Sequence, residues 1–278
     1  MIRQEWLGDR PRVITELQTR WAVRLGQPFE GDDVSSSWVA PATRIDGTSA
    51  VLKLGMPHFE GEHEIDGLRL LDGDPTVRLI QADDHLNAML LERCMPGTSL
   101  REVPEAEQDV VIAGLLKRFW RAPPSNHSFR HLSEMLRHWS KETERDEARW
   151  SDPGLVREGL RAFEEMAVAS PSDVLLATDL HAGNVLRADR EPWLVIDPKP
   201  FFGDNAYDAT QHLLNCRGRL RSNAYDTIKS FADLLEVDYE RVRRWTFARL
   251  AAEPRDDWDN ELTTLARILD RIMPAISR

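Results

Sequence analysis

The chain has 278 residues, with 36 Lys and Arg against 47 Asp and Glu, a formal net charge of −11 and a hydrophobic fraction of 41%. That apolar content supplies an ordinary globular core for one large domain or two lobes, and the acidic balance argues against nucleic acid as the main partner. Cys94 and Cys216 stand far apart with no CxxC pair, which excludes a disulfide framework and a thiolate zinc site; with no signal-like apolar core in MIRQEWLGDRPRV and no run of ~18 apolar residues, no membrane partner and a cytoplasmic location are expected.

In chain order, Asp9 can cap a helix with Pro11 at its start and Ile14, Leu17, Trp21 and Leu25 at helical spacing. SSWVAPATRIDGTSAVLKL follows as two β-type runs around Asp46-Gly47, a strong hairpin signal. MPHFEGEHEIDGLRLLDG predicts a helix marked by Ile65, Leu68 and Leu71 and closed by Gly73. VRLIQA and LNAMLLERC then read as strands joined at Asp83-Asp84. Beyond them PEAEQDVVIAGLLKRFW predicts a helix starting at Pro104, with Ile112, Leu115 and Phe119 on one face, and helical segments continue to about Ser170. Two short strands follow, and the chain from Asn205 onwards is helical in pattern. The expected architecture is α+β and bilobal: a β-rich lobe over 1–93 with an N-terminal and an internal helix, and a helical lobe over 94–278 that carries a polar loop and a β-hairpin.

That loop interrupts an apolar run, LLATDLHAGNVL, and VIDPKP follows it. Asn184 lies five residues after Asp179 and Asp197 thirteen after Asn184, with VLRA and WLVI flanking a turn, so Asn184 and Asp197 are expected at one end of a short hairpin. Two oxygen ligands there suit magnesium, which takes one or two carboxylates and leaves other positions to water and phosphate. Asp179 is then placed to take a proton from a hydroxyl attacking a phosphate. The spacing resembles the Asp-x-x-x-x-Asn catalytic loop and metal-binding Asp of kinases. A cation for nucleotide phosphates is available in AVLKLG as Lys53, and Glu60 or Glu64 on the following helix could pair with it. No GxGxxG or Walker A pattern occurs; Ser35, Ser36 and Ser37, in GDDVSSSWV, could cap phosphates instead. His181 has no second His at ligand spacing and is expected to be a packed loop residue.

With AVLKLGMPHFEGEHE, LLLERCMPGTSL, DLHAGNVL and IDPKPFFGDNAYD in this order, the chain resembles the aminoglycoside phosphotransferase-like kinases, and within them the streptomycin 6-phosphotransferase and hydroxyurea phosphotransferase branch. The resemblance spans roughly residues 30 to 215. It implies a protein-kinase-like bilobal fold that uses ATP and Mg2+ to phosphorylate a hydroxyl of a small, possibly cationic acceptor such as streptomycin. By matching positions it makes Asp179 the base, Asn184 and Asp197 the magnesium ligands, and Lys53 with Glu64 the ion pair at the ATP phosphates. Glu92, Arg93 and Cys94 would form the connector that meets adenine, and Asp208 would brace the catalytic loop. Lys199 and Asp204 are candidates for phosphate or substrate contact. One departure stands out: the family often has His-Gly before the catalytic Asp, where this chain has Ala177-Thr178, and Gly permits backbone geometry that Thr resists. The competing expectations are a housekeeping kinase of a sugar or amino alcohol and a nucleotide-binding regulator without turnover.

Overall fold

The computed structural model describes residues 2–29, 37–258 and 260–271. Helix α1 (Ile2–Arg20) leads into β1 (Val23–Leu25), β2 (Ser37–Arg44), β3 (Ser49–Gly55), α2 (Glu64–Leu71), β4 (Leu79–Asp83) and β5 (Ala88–Glu92). After a single 3-10 turn at Leu100–Glu102 come α3 (Glu105–Phe119), α4 (Leu132–Arg145) and α5 (Pro153–Met166). β6 (Val174–Leu176), a 3-10 turn at Ala182–Asn184, β7 (Val185–Leu186), β8 (Leu194–Val195) and β9 (Phe201–Gly203) follow. Then come α6 (Asn205–Asn215), α7 (Arg217–Leu235), α8 (Tyr239–Ala252) and α9 (Glu261–Arg271). No helix among the described residues is long and apolar enough to cross a membrane.

Two compact units emerge, Met1–Ser99 with Val185–Lys199, and Leu100–Asn184 with Pro200–Arg278. The first is built on an antiparallel sheet in the order β1-β2-β3-β5-β4. The sheet is covered on both faces. Ala50, Leu52 and Leu54 of β3 point into a core with Val13, Leu17 and Trp21 of the α1 segment, while Val51, Met89 and Leu91 join Ile65 and Leu68 of α2. The Asp46-Gly47 turn forms as predicted, with Gly47 at φ +83° and the Thr48 N–H donating to Asp46. Helix α1 differs from expectation. It starts at Ile2 and contains Pro11, and Leu25 belongs to β1. Pro11 deprives the helix of one N–H, yet Trp6 on the preceding turns packs on the same core as Val13 and Leu17, which holds those turns in place.

The units also divide the chain differently from the 1–93 and 94–278 expectation, because the β7–β8 hairpin packs with the first unit. Leu194 is fully buried beside Val77, Met89 and Cys94. Val77 N–H donates to Val195 at 3.0 Å, Val195 N–H to Pro75 at 3.0 Å and Arg187 N–H to Thr98 at 2.9 Å. Arg190 adds a two-pronged ion pair to Glu92 at 2.9 and 2.8 Å. Main-chain pairing and apolar burial thus tie to the sheet a segment distant from it in sequence.

In the second unit α8 is buried along most of its length, including Val242, Trp245, Phe247, Ala248, Leu250, Ala251 and Ala252. Its small residues admit α5 at close range: a Cβ added to Gly159 would stand 2.7 Å from the Ala251 Cβ and 2.8 Å from the Ala252 Cβ. Gly159→Ala is therefore expected to lower unfolding stability by about 1–2 kcal/mol, overpacking outweighing the gain of roughly 1 kcal/mol in helix propensity. Urea denaturation checks this, and a gain in stability would contradict the close packing.

Candidate active site

Lys53 lies on β3 opposite Val39 and Met89, on the sheet face that α2 covers. Its ammonium is buried and donates to Glu64 Oε1 at 2.6 Å and to Asp197 Oδ1 at 2.5 Å. Glu64 is the first residue of α2, where the helix dipole favours an acid. The Glu60/Glu64 alternative is thereby resolved for Glu64. Lys199 is also buried and bonds Asp197 Oδ1, so two ammonium groups meet two carboxylates. This balance decides the charge states. Burial alone would lower Lys53, but the Glu64 and Asp197 carboxylates outweigh it and hold Lys53 above its ordinary value. Burial would likewise raise Asp197, yet Lys53 and Lys199 hold it well below the usual carboxylate range. Asp197 sits in the left-handed region at φ +53°.

The catalytic-loop candidate belongs to the second unit. Leu175, Leu176 and Ala177 are buried and anchor its entry, and Thr178 then adopts φ +50°. Position 178 therefore has the left-handed geometry for which Gly is suited, and the β-branched Thr is strained there by roughly 1–2 kcal/mol. The conformation is held from α6. Asp208 is buried and accepts from Ala177 N–H at 2.9 Å, Thr178 N–H at 2.8 Å and Trp120 Nε1–H at 2.9 Å. Burial pushes its carboxyl up to about 6, these hydrogen bonds opposing the rise. The expected bracing role of Asp208 is what this geometry performs.

Asp179 follows at the turn, its N–H bonded to Ala177 O at 2.7 Å. Gln211 donates to its Oδ1 at 2.7 Å, and the Asn184 amide donates to its main-chain oxygen at 3.0 Å. Because the Asn184 nitrogen faces Asp179, the other end of the same amide, Oδ1, is the atom suited to a hard cation. Asn184 and Asp197 both offer oxygen, a donor chemistry that fits magnesium. His181 accepts from Gly183 N–H at 3.0 Å and lies 4.0 Å from Asp179, a loop-shaping role that agrees with expectation.

The remaining candidates fare differently. Asp204 caps α6 through Ala206 N–H at 3.1 Å and receives Arg241 and Trp245 of α8, each at 2.5 Å, so its carboxylate already has structural partners. Glu92 ends β5 with its side chain on Arg190, and Arg93 and Cys94 make no main-chain hydrogen bond among the described residues. Ser37 opens β2, while Ser35 and Ser36 lie outside the described residues. Glu253, at the C-terminal end of α8, pairs with Arg249, and Trp258 beyond it is buried.

Sequence reasoning missed Gln211 and Arg249. The signal for Gln211 was present, since it stands three residues after Asp208 and shares its helical face. Arg249 carried no local signal: it is a buried cation on α8 that donates to Thr210 at 2.9 Å and lies over the rings of Trp139 and Tyr207. Another buried group, Asp109, His212 and Cys216, has ligand atoms within 4.8 Å of one another. Arg219 grips Asp109 at 2.9 and 2.7 Å, and burial pushes the Cys216 thiol up to about 12, so the cluster is a hydrogen-bonded joint.

Comparison with known proteins places these residues in context. The model of a family described as aminoglycoside/hydroxyurea antibiotic resistance kinase matches residues 20–255. A streptomycin 6-kinase of Streptomyces glaucescens is 34% identical over 277 residues, covering 93% of this chain and 85% of that one. A hydroxyurea phosphotransferase of Kitasatospora aureofaciens is 35% identical over 255 residues, covering 89% and 73%. Among solved structures, a choline kinase of Streptococcus pneumoniae superposes with a TM-score of 0.66 at 11% identity, covering 94% of this chain and 98% of that one, a likeness of fold.

Two outcomes are expected from the loop. Asp208→Ala orphans buried N–H donors and should cost about 3 kcal/mol or more. Burial pushes the folded carboxyl up to about 6, above its ordinary 3.8, so the folded state holds an extra proton between them. That contribution is fully present below the unfolded value and lost as pH rises through the folded one, so the deficit of Asp208→Ala relative to wild type should be larger at pH 5 than at pH 7 by about 1 kcal/mol. Denaturant titrations at both pH values test the sign. Thr178→Gly should leave stability within about 1 kcal/mol of wild type, relief of the left-handed strain offsetting the glycine's entropy; a larger loss in thermal melting would refute the strain.

Proposed function

The chain belongs to the aminoglycoside/hydroxyurea antibiotic resistance kinase family, and from that premise we propose that it transfers the γ-phosphoryl group of ATP to a hydroxyl of a small cationic acceptor such as streptomycin. The observation that carries the reading is Lys53, a buried ammonium held between Glu64 and Asp197. A buried lysine with two acid partners is positioned without being neutralised, as a cation directed at phosphate must be.

In this reading Asp179 accepts the proton of the acceptor hydroxyl as its oxygen attacks the γ-phosphorus in line. The bond from that phosphorus to the bridging oxygen breaks, and ADP leaves. Lys53 neutralises charge on the ATP phosphates, and Lys199 is a second cation for the same phosphates. Asn184 and Asp197 are the residues that would hold magnesium, which when bound neutralises charge on the phosphate oxygens. Arg93 and Cys94 offer main-chain groups to adenine, and Ser35, Ser36 and Ser37 remain candidates for capping phosphate. The net charge of −11 favours a cationic acceptor over an anionic one.

The test is ADP release by the purified protein with ATP, with and without Mg2+, against streptomycin, hydroxyurea and a panel of sugars and amino alcohols. Magnesium-dependent release with streptomycin is expected, falling by about 10³-fold in Asp179→Ala, while Lys53→Met raises the KM for ATP. Full activity of Asp179→Ala would refute the mechanism. Release with sugars alone would refute the acceptor class and leave the kinase reading standing.

A further inference from the structure

The Asp179 carboxylate must present one oxygen to the reacting hydroxyl, yet the torsion that turns a carboxylate about its own bond is soft and broad. Its orientation has to come from hydrogen bonds. Asn184 bonds the main-chain oxygen of Asp179 at 3.0 Å and reaches carboxylate Oδ2 only at 3.4 Å. Gln211 reaches the other oxygen, Oδ1, at 2.7 Å, closer than Asn184 comes to Oδ2. From these contacts, and resting on the reading of Asp179 as the base, we infer that Gln211 is the positioning residue that sets the rotation of the Asp179 carboxylate for proton abstraction.

The helix that carries Gln211 is held on several sides. Asp208, one turn earlier, fixes the backbone that precedes Asp179 through Ala177 and Thr178. Thr210, the adjacent residue, receives the buried Arg249 guanidinium at 2.9 Å, and Arg249 is held in turn by Glu253 at 3.0 and 3.1 Å. The start of α6 is fixed by its Asp204 cap, which Trp245 and Arg241 engage. Asp208 and Gln211 thus grip main chain and side chain of the same loop from one helical face. The choice of an amide has a chemical reason. A neutral donor orients the carboxylate while leaving it basic, whereas an ammonium in direct contact would stabilise the carboxylate and weaken it as a proton acceptor.

Two substitutions of similar size separate positioning from packing. Gln211→Met keeps the volume and removes the donor; Gln211→Glu keeps the shape and adds a repelling charge. With kcat and both KM values measured, Gln211→Met should lose about tenfold in kcat and Gln211→Glu about 100-fold, since misplacing a reacting group by an ångström costs on that order. Both KM values, and the dissociation constant for ATP from calorimetry, should stay within about twofold of wild type. In an Asp179→Asn background, Gln211→Met should cause no further loss, because the two residues act as a unit. Wild-type kcat in Gln211→Met, equal losses in both variants with KM rising alongside, or a full additional loss in the double variant would each overturn the inference. If Asp179→Asn keeps its turnover, the base assignment falls and this inference with it. If Asp179→Asn is inactive while Gln211→Met is normal, only this inference falls.

Discussion

The second unit depends on one buried carboxylate. Asp208 accepts from two consecutive main-chain N–H groups and an indole, and this fixes a backbone turn that Thr178 would not choose alone. A left-handed Thr persists only where its surroundings over-determine it. Here the surroundings are a hydrogen-bond-accepting carboxyl in the first turn of α6 and the buried residues Leu175 to Ala177 leading into the turn. Asp179 is delivered by that turn. The helices behind it extend the chain of support: α8 holds α6 through Arg249, Arg241 and Trp245, and α5 packs against α8 at the distance that Gly159 permits.

The first unit meets the opposite difficulty, which is keeping charges buried. An isolated ammonium out of water is costly, and an ion pair repays that cost only when its partners are close and satisfied. Lys53, Glu64, Asp197 and Lys199 meet the condition by balancing their charges, with Lys53 and Lys199 converging on the same oxygen of Asp197. In the proposed reading, an incoming phosphate meets cations already positioned by carboxylates.

Some residues play two parts, and sequence shows only one. Trp120 and Trp245 carry large apolar rings, and Trp245 is fully buried, but Trp120 also donates its N–H to Asp208 of α6 and Trp245 to the α6 cap Asp204. Asp204 reads as a candidate for substrate contact because it follows Asp197 closely, yet it caps a helix and receives two donors from α8. Proximity in sequence to a functional residue is a weak guide when a helix start lies between, since Asp is among the strongest capping residues.

By itself the sequence determined the chemistry and most of the elements. The Lys53 strand, the α2 helix with its acids, the Asp179-to-Asn184 spacing and the Asp197 that follows are local patterns, legible because strand alternation, helix caps and turn residues act over a few positions. The family resemblance also flagged position 178, where a Thr occupies a place suited to Gly. Tertiary structure decided the rest. It selected Glu64 over Glu60, buried Lys199, attached the β7–β8 hairpin to the sheet unit and brought Gln211 and Arg249 behind the Asp179 loop. The Lys53–Glu64 and Lys199–Asp197 bonds span 11 and 2 residues, but the other outcomes depend on contacts between residues far apart in the chain, where hydrogen-bond distance and burial select among side chains that the local sequence leaves equivalent.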